Sequence, residues 1–319
     1  MSIAKTRFSK AVLAAAIAAA TTTVSAQQKE DWHTSRWGKD DQVGAANYLS
    51  NEKVLEAIKL VKEGKTYSLG INLNRDVPAY PPRSFNLTVV QPNQQNGTVL
   101  GPKNFTYNDE ILHTWLGIGT QLDGLGHVGI DGVYYNGFKS EDFAAIDGLK
   151  HLGVEKIPPI VTRGVLLDMT KHFNTDMVKE GTAFNRKEIE AAAQAQGVEI
   201  REGDVVLFHT GWLSLIGKDN KRFASVEPGL GVEGAQFLAD KGVVAIGADT
   251  WALEVLPGEE GTGPFEVHQI LLAKNGVYIL ENIDTHELAA DGAKEFLFML
   301  GHPKIEGAVQ SIINPVAIR

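Results

Sequence analysis

Four short apolar runs constrain this chain most. They cover residues 163–168 (Arg-Gly-Val-Leu-Leu-Asp), 203–212 (Gly-Asp-Val-Val-Leu-Phe-His-Thr-Gly-Trp), 243–249 (Val-Val-Ala-Ile-Gly-Ala-Asp) and 277–280 (Val-Tyr-Ile-Leu). Each carries an apolar stretch of strand length closed by polar or turn residues, the pattern of a buried strand. Helical spacing separates them. Residues 185–196 read as a helix stopped by Gly197, residues 232–241 as a second, and residues 264–274 as a third closed by Asn275-Gly276. Further upstream, Ser50 serves as the N-cap of a helix carrying Val54, Leu55, Ile58, Leu60 and Val61 and stopped by Gly64. Alternation over 66–73 predicts a strand, and the proline-rich residues 76–110 a long irregular excursion. Strand and helix signals mix without a regular βαβ rhythm, and no repeat or linker divides the chain. One α/β domain over residues 27–319 is therefore expected.

Residues 1–26 are set apart from that domain. Lys5, Arg7 and Lys10 precede the apolar run 11–20, and Val24-Ser25-Ala26 ends in small residues. This is the pattern of a secretory signal peptide cleaved after Ala26, which directs the mature chain to the periplasm or the medium. Without those three cations, the 30 basic residues fall to 27 against 39 acidic ones, a net charge of −12. So acidic a surface disfavours nucleic acid and anionic membranes as partners. There is no cysteine, so thiol chemistry is excluded and any metal rests on His, Asp, Glu, Gln or water.

Chemistry concentrates between His113 and His127. Gly117, Gly119, Gly124 and Gly126 surround Asp123 and His127, and such a bent backbone can bring a carboxylate and an imidazole to one point. A continuous strand over residues 112–123 would place His113, Gln121 and Asp123 on one face. The same residues could equally form an ordinary turn, with Asp123 bonding its own backbone. Elsewhere, His209 lies at a strand exit beside Trp212, where sheet proteins often bind ligands. Gly229-x-Gly-x-x-Gly234 follows a polar stretch rather than a strand, so it is no dinucleotide fingerprint.

Residues 119–127, Gly-Thr-Gln-Leu-Asp-Gly-Leu-Gly-His, resemble the His-x-Gly-Thr-His-x-Asp-x-x-x-His signature of the cyclase family of metal-dependent hydrolases. Bacterial kynurenine formamidase belongs to that family. The chain keeps Gly119, Thr120, Asp123 and His127, but has Gly117 and Gln121 at the two remaining histidine positions, the latter as in longer family members. Residues 37–47, Trp-Gly-Lys-Asp-Asp-Gln-Val-Gly-Ala-Ala-Asn, resemble the N-terminal segment of those longer members. His268 and, beyond a strand, Glu281 match the family's late His and Glu.

The resemblance implies a swivelling β/β/α fold, a mixed sheet or partial barrel flanked by helices, assembled as a homodimer or homotetramer. It implies a divalent metal, Zn or Mn, held by Asp123 with His127, His268, Glu281 and Gln121, one of His127 and His268 also carrying a proton. His113, Gln121, His209 and Trp212 are the candidate contacts for a small-molecule substrate. With no Gly-x-Ser-x-Gly elbow and no Cys, metal-activated water is the economical nucleophile. Three activities follow as expectations: cleavage of the C–N bond of an aryl formamide or cyclic amide, cleavage of a lactone or other C–O bond, or binding without turnover.

Overall fold

The computed structural model describes residues 32–90, 101–103 and 105–319. The expected leader lies outside the described residues. The molecule is a single α/β domain built on a curled half-barrel sheet with flanking helices.

Nine strands form that sheet: β1 (Thr66–Ser68), β2 (Gln121–Asp123), β3 (Ile160–Asp168), β4 (Val205–His209), β5 (Ala245–Ala248), β6 (Tyr278–Glu281), β7 (Glu295–Leu300), β8 (Gln310–Ile312) and β9 (Val316–Ile318). Their spatial order is β1-β9-β7-β3-β4-β5-β6-β2-β8. The four apolar runs become β3 to β6, which are parallel to one another. All of β4, β5 and β6 is buried, as expected of parallel strands covered on both faces. The remaining strands pair antiparallel at the two flanks.

Three helices lie where periodicity placed them. In α1 (Asn51–Ile58), the Ser50 hydroxyl accepts from the Lys53 N–H at 3.3 Å, but the helix ends at Ile58, short of Leu60, Val61 and the stop expected at Gly64. In α2 (Arg186–Gln196), Asn185 and Glu188 cap each other reciprocally, and Gly197 closes the helix at φ 69°. The third, α3, spans Val232–Asp240.

Three expectations are corrected. The strand over 66–73 ends at Ser68, because the Gly70 and Ile71 amides turn to the Asn314 and Thr120 side chains. The helix expected over 264–274 is a short α-turn, Glu266–His268, running into a π-helical turn, Gln269–Lys274, a distortion frequent at functional sites. The strand over 112–123 is broken: Glu110–Thr114 joins a separate two-stranded sheet with Phe85–Val89, and Gly119 (φ +65°) turns the chain before β2. His113 therefore shares no face with Gln121 and Asp123.

Candidate metal centre

Strand register assembles the centre. On β2, Gln121 and Asp123 share a face. On β6, Glu281 lies opposite Gln121, and on β8, Gln310 lies opposite Asp123. Residues directly opposite in a ladder project to the same side, so all four meet on one surface. The preceding loop is tied to the strand exit beyond Glu281. Thr120 Oγ1 donates to the Asn282 carbonyl at 2.7 Å, and Asn282 Nδ2 donates to the Gly119 carbonyl at 2.8 Å. After β2, a tight turn in which the His127 N–H donates to the Gly124 carbonyl (3.0 Å) brings the imidazole back. His268 enters from the α-turn, just before the π-helical segment.

The ligand atoms of Asp123, His268 and Glu281 lie within 4.8 Å of one another, and all three residues are buried. His268 Nε2 is 3.4 Å from Glu281 Oε1 and 3.7 Å from Asp123 Oδ2. His127 Nε2 is 3.9 Å from the same Asp123 oxygen, with its side chain 22% exposed. Gln121 and Gln310 both donate to Asp123 Oδ1, at 3.1 and 2.6 Å. Among the described residues, Asp123 Oδ2 is buried without a hydrogen-bond partner. A bare carboxylate oxygen in a buried site is costly, and here it faces two imidazole nitrogens and near a second carboxylate. That donor set of oxygen and imidazole nitrogen fits Zn²⁺ or Mn²⁺.

Burial, reinforced by the nearby Asp123 charge, pushes the Glu281 carboxyl up to about 7. Burial would lower His268, but hydrogen bonds to Glu254 and Glu281 outweigh it and raise the ring to about 10. Burial lowers His127 below the usual histidine range, opposed by Asp123 and assisted by His268 and Arg83. Without a metal, the proton on His268 offsets the crowded carboxylates; a bound cation would take over that role, and the Nε2 proton would leave as it binds.

Three of the expected substrate contacts lie elsewhere. Trp212 is fully buried, donating through Nε1 to the Phe223 carbonyl at 3.4 Å. His209 ends β4, its Nδ1 2.7 Å from Thr285 Oγ1 and 3.5 Å from Asp249 Oδ2. It lines a cavity of about 620 Å³ with Asp168, Lys171, Ser214 and Asp284, outside the cluster of Asp123, His268 and Glu281. His113 is exposed on the outer two-stranded sheet. A tryptophan with a satisfied N–H in the core, and a histidine on an outlying ribbon, have no route to the centre.

Conversely, three residues at the centre carry no signal in the sequence. Glu254 accepts from the His268 ring at Nδ1 (2.9 Å) and from its backbone N–H (3.2 Å). Arg83 donates to the Gly117 carbonyl at 2.7 Å. Gln310 reaches Asp123 from the far end of the chain. The one available hint was Gly117 itself, whose missing side chain leaves room that another residue must fill.

An α/β protein whose curled mixed sheet brings two buried carboxylates beside a buried imidazole from an adjoining helical turn has a group of side chains that could hold a metal ion. The family model described as "Putative cyclase" matches residues 67–255, and the chain belongs to the cyclase family. The solved structure of a novel cyclase is similar at 29% identity, covering 91% of this chain and 97% of its own, with a TM-score of 0.82. Isatin hydrolase A from Ralstonia solanacearum is similar at 19% identity, covering 80% of this chain and 92% of its own, with a TM-score of 0.62. A predicted metal-dependent hydrolase from Bacillus stearothermophilus aligns at 18% identity, covering 79% and 97%, with a TM-score of 0.52. No curated protein matches the chain. The fold is thus that of the cyclase-family metal-dependent hydrolases.

Proposed function

We propose that this chain is a metal-dependent amidohydrolase that opens the C–N bond of an aryl formamide or a cyclic aryl amide. The observation that carries the reading is the convergence of Asp123, His268 and Glu281 around an unbonded Asp123 oxygen. These three residues would hold the cation. A bound divalent ion supplies Lewis acidity and lowers the pKa of water toward neutrality.

The protein's own groups do the rest. With its Nδ1 proton donated to Glu254, His268 keeps Nε2 toward Asp123 and Glu281, the usual way a carboxylate fixes a ligand imidazole. Gln121 and Gln310 hold Asp123 Oδ1, so its other oxygen stays turned to the centre. His127 is partly exposed at the edge, where Nε2 can take a proton from the attacking water and pass it to the departing nitrogen. Water thus adds to the carbonyl carbon, the C–N bond breaks, and the amine leaves with the proton.

An aromatic substrate is favoured by the rings around His268. Phe265 packs edge-on against it at 5.3 Å, Tyr80 against Phe265 at 6.1 Å, and Trp251 stacks on Tyr80 at 5.9 Å. The fold-level likeness to isatin hydrolase supports a cyclic amide as one such substrate. The leader-like residues 1–26 support export, and family kinship supports a homo-oligomer.

Metal analysis of protein purified without chelator, beside Asp123→Ala, tests the reading, with aryl formamides, cyclic amides and lactones assayed in parallel. Wild type should carry Zn or Mn and hydrolyse amides, and the variant should lose both. A wild type that takes up neither metal, yet is stabilised by aryl amides without turnover, would make the protein a binder instead. Hydrolysis of lactones alone would move the activity to C–O bonds.

A further inference from the structure

We propose that Gln310 is a positioning residue that restricts the centre to one cation and substitutes, from the opposite strand, for the side chain absent at Gly117. The proposal rests on the reading of Asp123, His268 and Glu281 as a cation site.

The first observation concerns Asp123. Its Oδ1 receives two amide N–H groups, from Gln121 at 3.1 Å and Gln310 at 2.6 Å. A carboxylate oxygen has two lone-pair positions, so Oδ1 is fully engaged. Only Oδ2 is free. A carboxylate tied in this way has one oxygen left for an ion and cannot bridge a pair through its two oxygens.

The second observation concerns space. A Cβ built on Gly117 would lie 2.4 Å from Gln310 Oε1, 2.6 Å from Nε2 and 2.7 Å from Cδ. Gly117 is not in the left-handed region, so its backbone would admit a side chain, and the Gln310 carboxamide is what stands in the way. That carboxamide is also 3.4 Å from His127 Nε2. The volume in which residue 117 would present a ligand is therefore occupied by an amide that binds Asp123 instead. Gln310 requires glycine at 117, and Asp123 requires Gln310, although these residues are 187 positions apart.

Gln310→Met keeps the length of the side chain and removes its N–H donors. Gly117→Ala leaves Gln310 intact but drives its carboxamide from Asp123. Both variants should free the Asp123 carboxylate to turn. Loss of a partner that orients a ligand typically costs 10–100-fold in metal affinity. Because the two changes break one contact, their effects should not multiply.

The experiment is calorimetric titration of chelator-stripped, folded protein with ZnCl₂ and with MnCl₂, together with elemental analysis and thermal melts of the metal-free forms. Wild type should bind one ion per chain. Each single variant should bind about 10–100-fold more weakly, and the double variant no more weakly than the worse single. Two ions per wild-type chain would overturn the proposal. So would Gln310→Met and Gly117→Ala proteins with wild-type affinity, or a double variant whose losses multiply. If Gln310→Met melts before it can be titrated, Gly117→Ala decides alone. A wild type that binds neither ion instead removes the cation reading beneath the proposal, a result distinct from one ion bound indifferently to Gln310.

Discussion

Replacing Glu254 by glutamine isolates how much one carboxylate behind the centre contributes. Glu254 touches none of Asp123, His127 or Glu281 among the hydrogen bonds described. It acts on His268, receiving the ring N–H at 2.9 Å and the backbone N–H at 3.2 Å on the same oxygen, Oε2. An amide oxygen placed there can accept both bonds, so the change removes charge and keeps shape. Hydrogen bonds to a charged group contribute about 1.5–3 kcal/mol against about 0.5–1.5 for neutral pairs. The difference for the ring contact is then about 1.4 kcal/mol, which is about tenfold in affinity. Titration of stripped Glu254→Gln protein with Zn²⁺ should show a dissociation constant raised about tenfold, with the fold intact by circular dichroism. Glu254→Leu, which leaves both N–H groups bare in a buried site, should cost more. An affinity within about twofold of wild type for Glu254→Gln would refute the argument that Glu254 directs the imidazole.

Two further perturbations probe the scaffold. Arg163 on β3 forks onto Asp204 through Nε (2.9 Å) and Nη2 (2.7 Å), and also meets Glu295 and the Glu199 carbonyl. Arg163→Met strands a buried carboxylate that desolvation already pushes up, and should cost about 3–5 kcal/mol in urea unfolding; a loss below about 1 kcal/mol would show that the pair is no better than a surface bridge. Asp168 is pulled upward by burial, but donors from the Lys171 ammonium, the Thr170 hydroxyl and the Lys171 N–H outweigh this and hold its carboxyl below the ordinary 3.8. A depressed folded-state pKa gives stability that is present above the unfolded value and lost as pH falls through the folded one. Asp168→Asn should therefore flatten the decline in urea midpoint from about pH 5 to about pH 2, and curves that stay parallel to wild type would count against it.

Much of the fold was legible because it is written in local pattern. Apolar runs marked β3 to β6, since parallel strands covered on both faces must be apolar throughout. Ser50 and Gly197 marked helix ends, because capping is a matter between near neighbours. Where local pattern competes with long-range bonding, the bonding prevails. Residues 66–73 alternate like a strand, yet the Gly70 amide is claimed by Asn314. Residues 112–123 look continuous, yet Gly119 turns the chain between two different sheets. His113 and Trp212 have suitable side chains, but one lies on an exposed ribbon and the other in the core.

By itself the chain determined which chemistry is available: no thiol, an acidic surface, and Asp123, His127, His268 and Glu281 in a recognisable order. Only the tertiary structure decided which of these groups meet, because β2 acquires its neighbours β6 and β8 from segments far away in the chain. The same packing brought in Glu254 and Gln310, whose roles come from register and burial rather than from any neighbour in sequence. A hydrogen bond depends on separation in space, and separation along the chain says little about it once a sheet has closed.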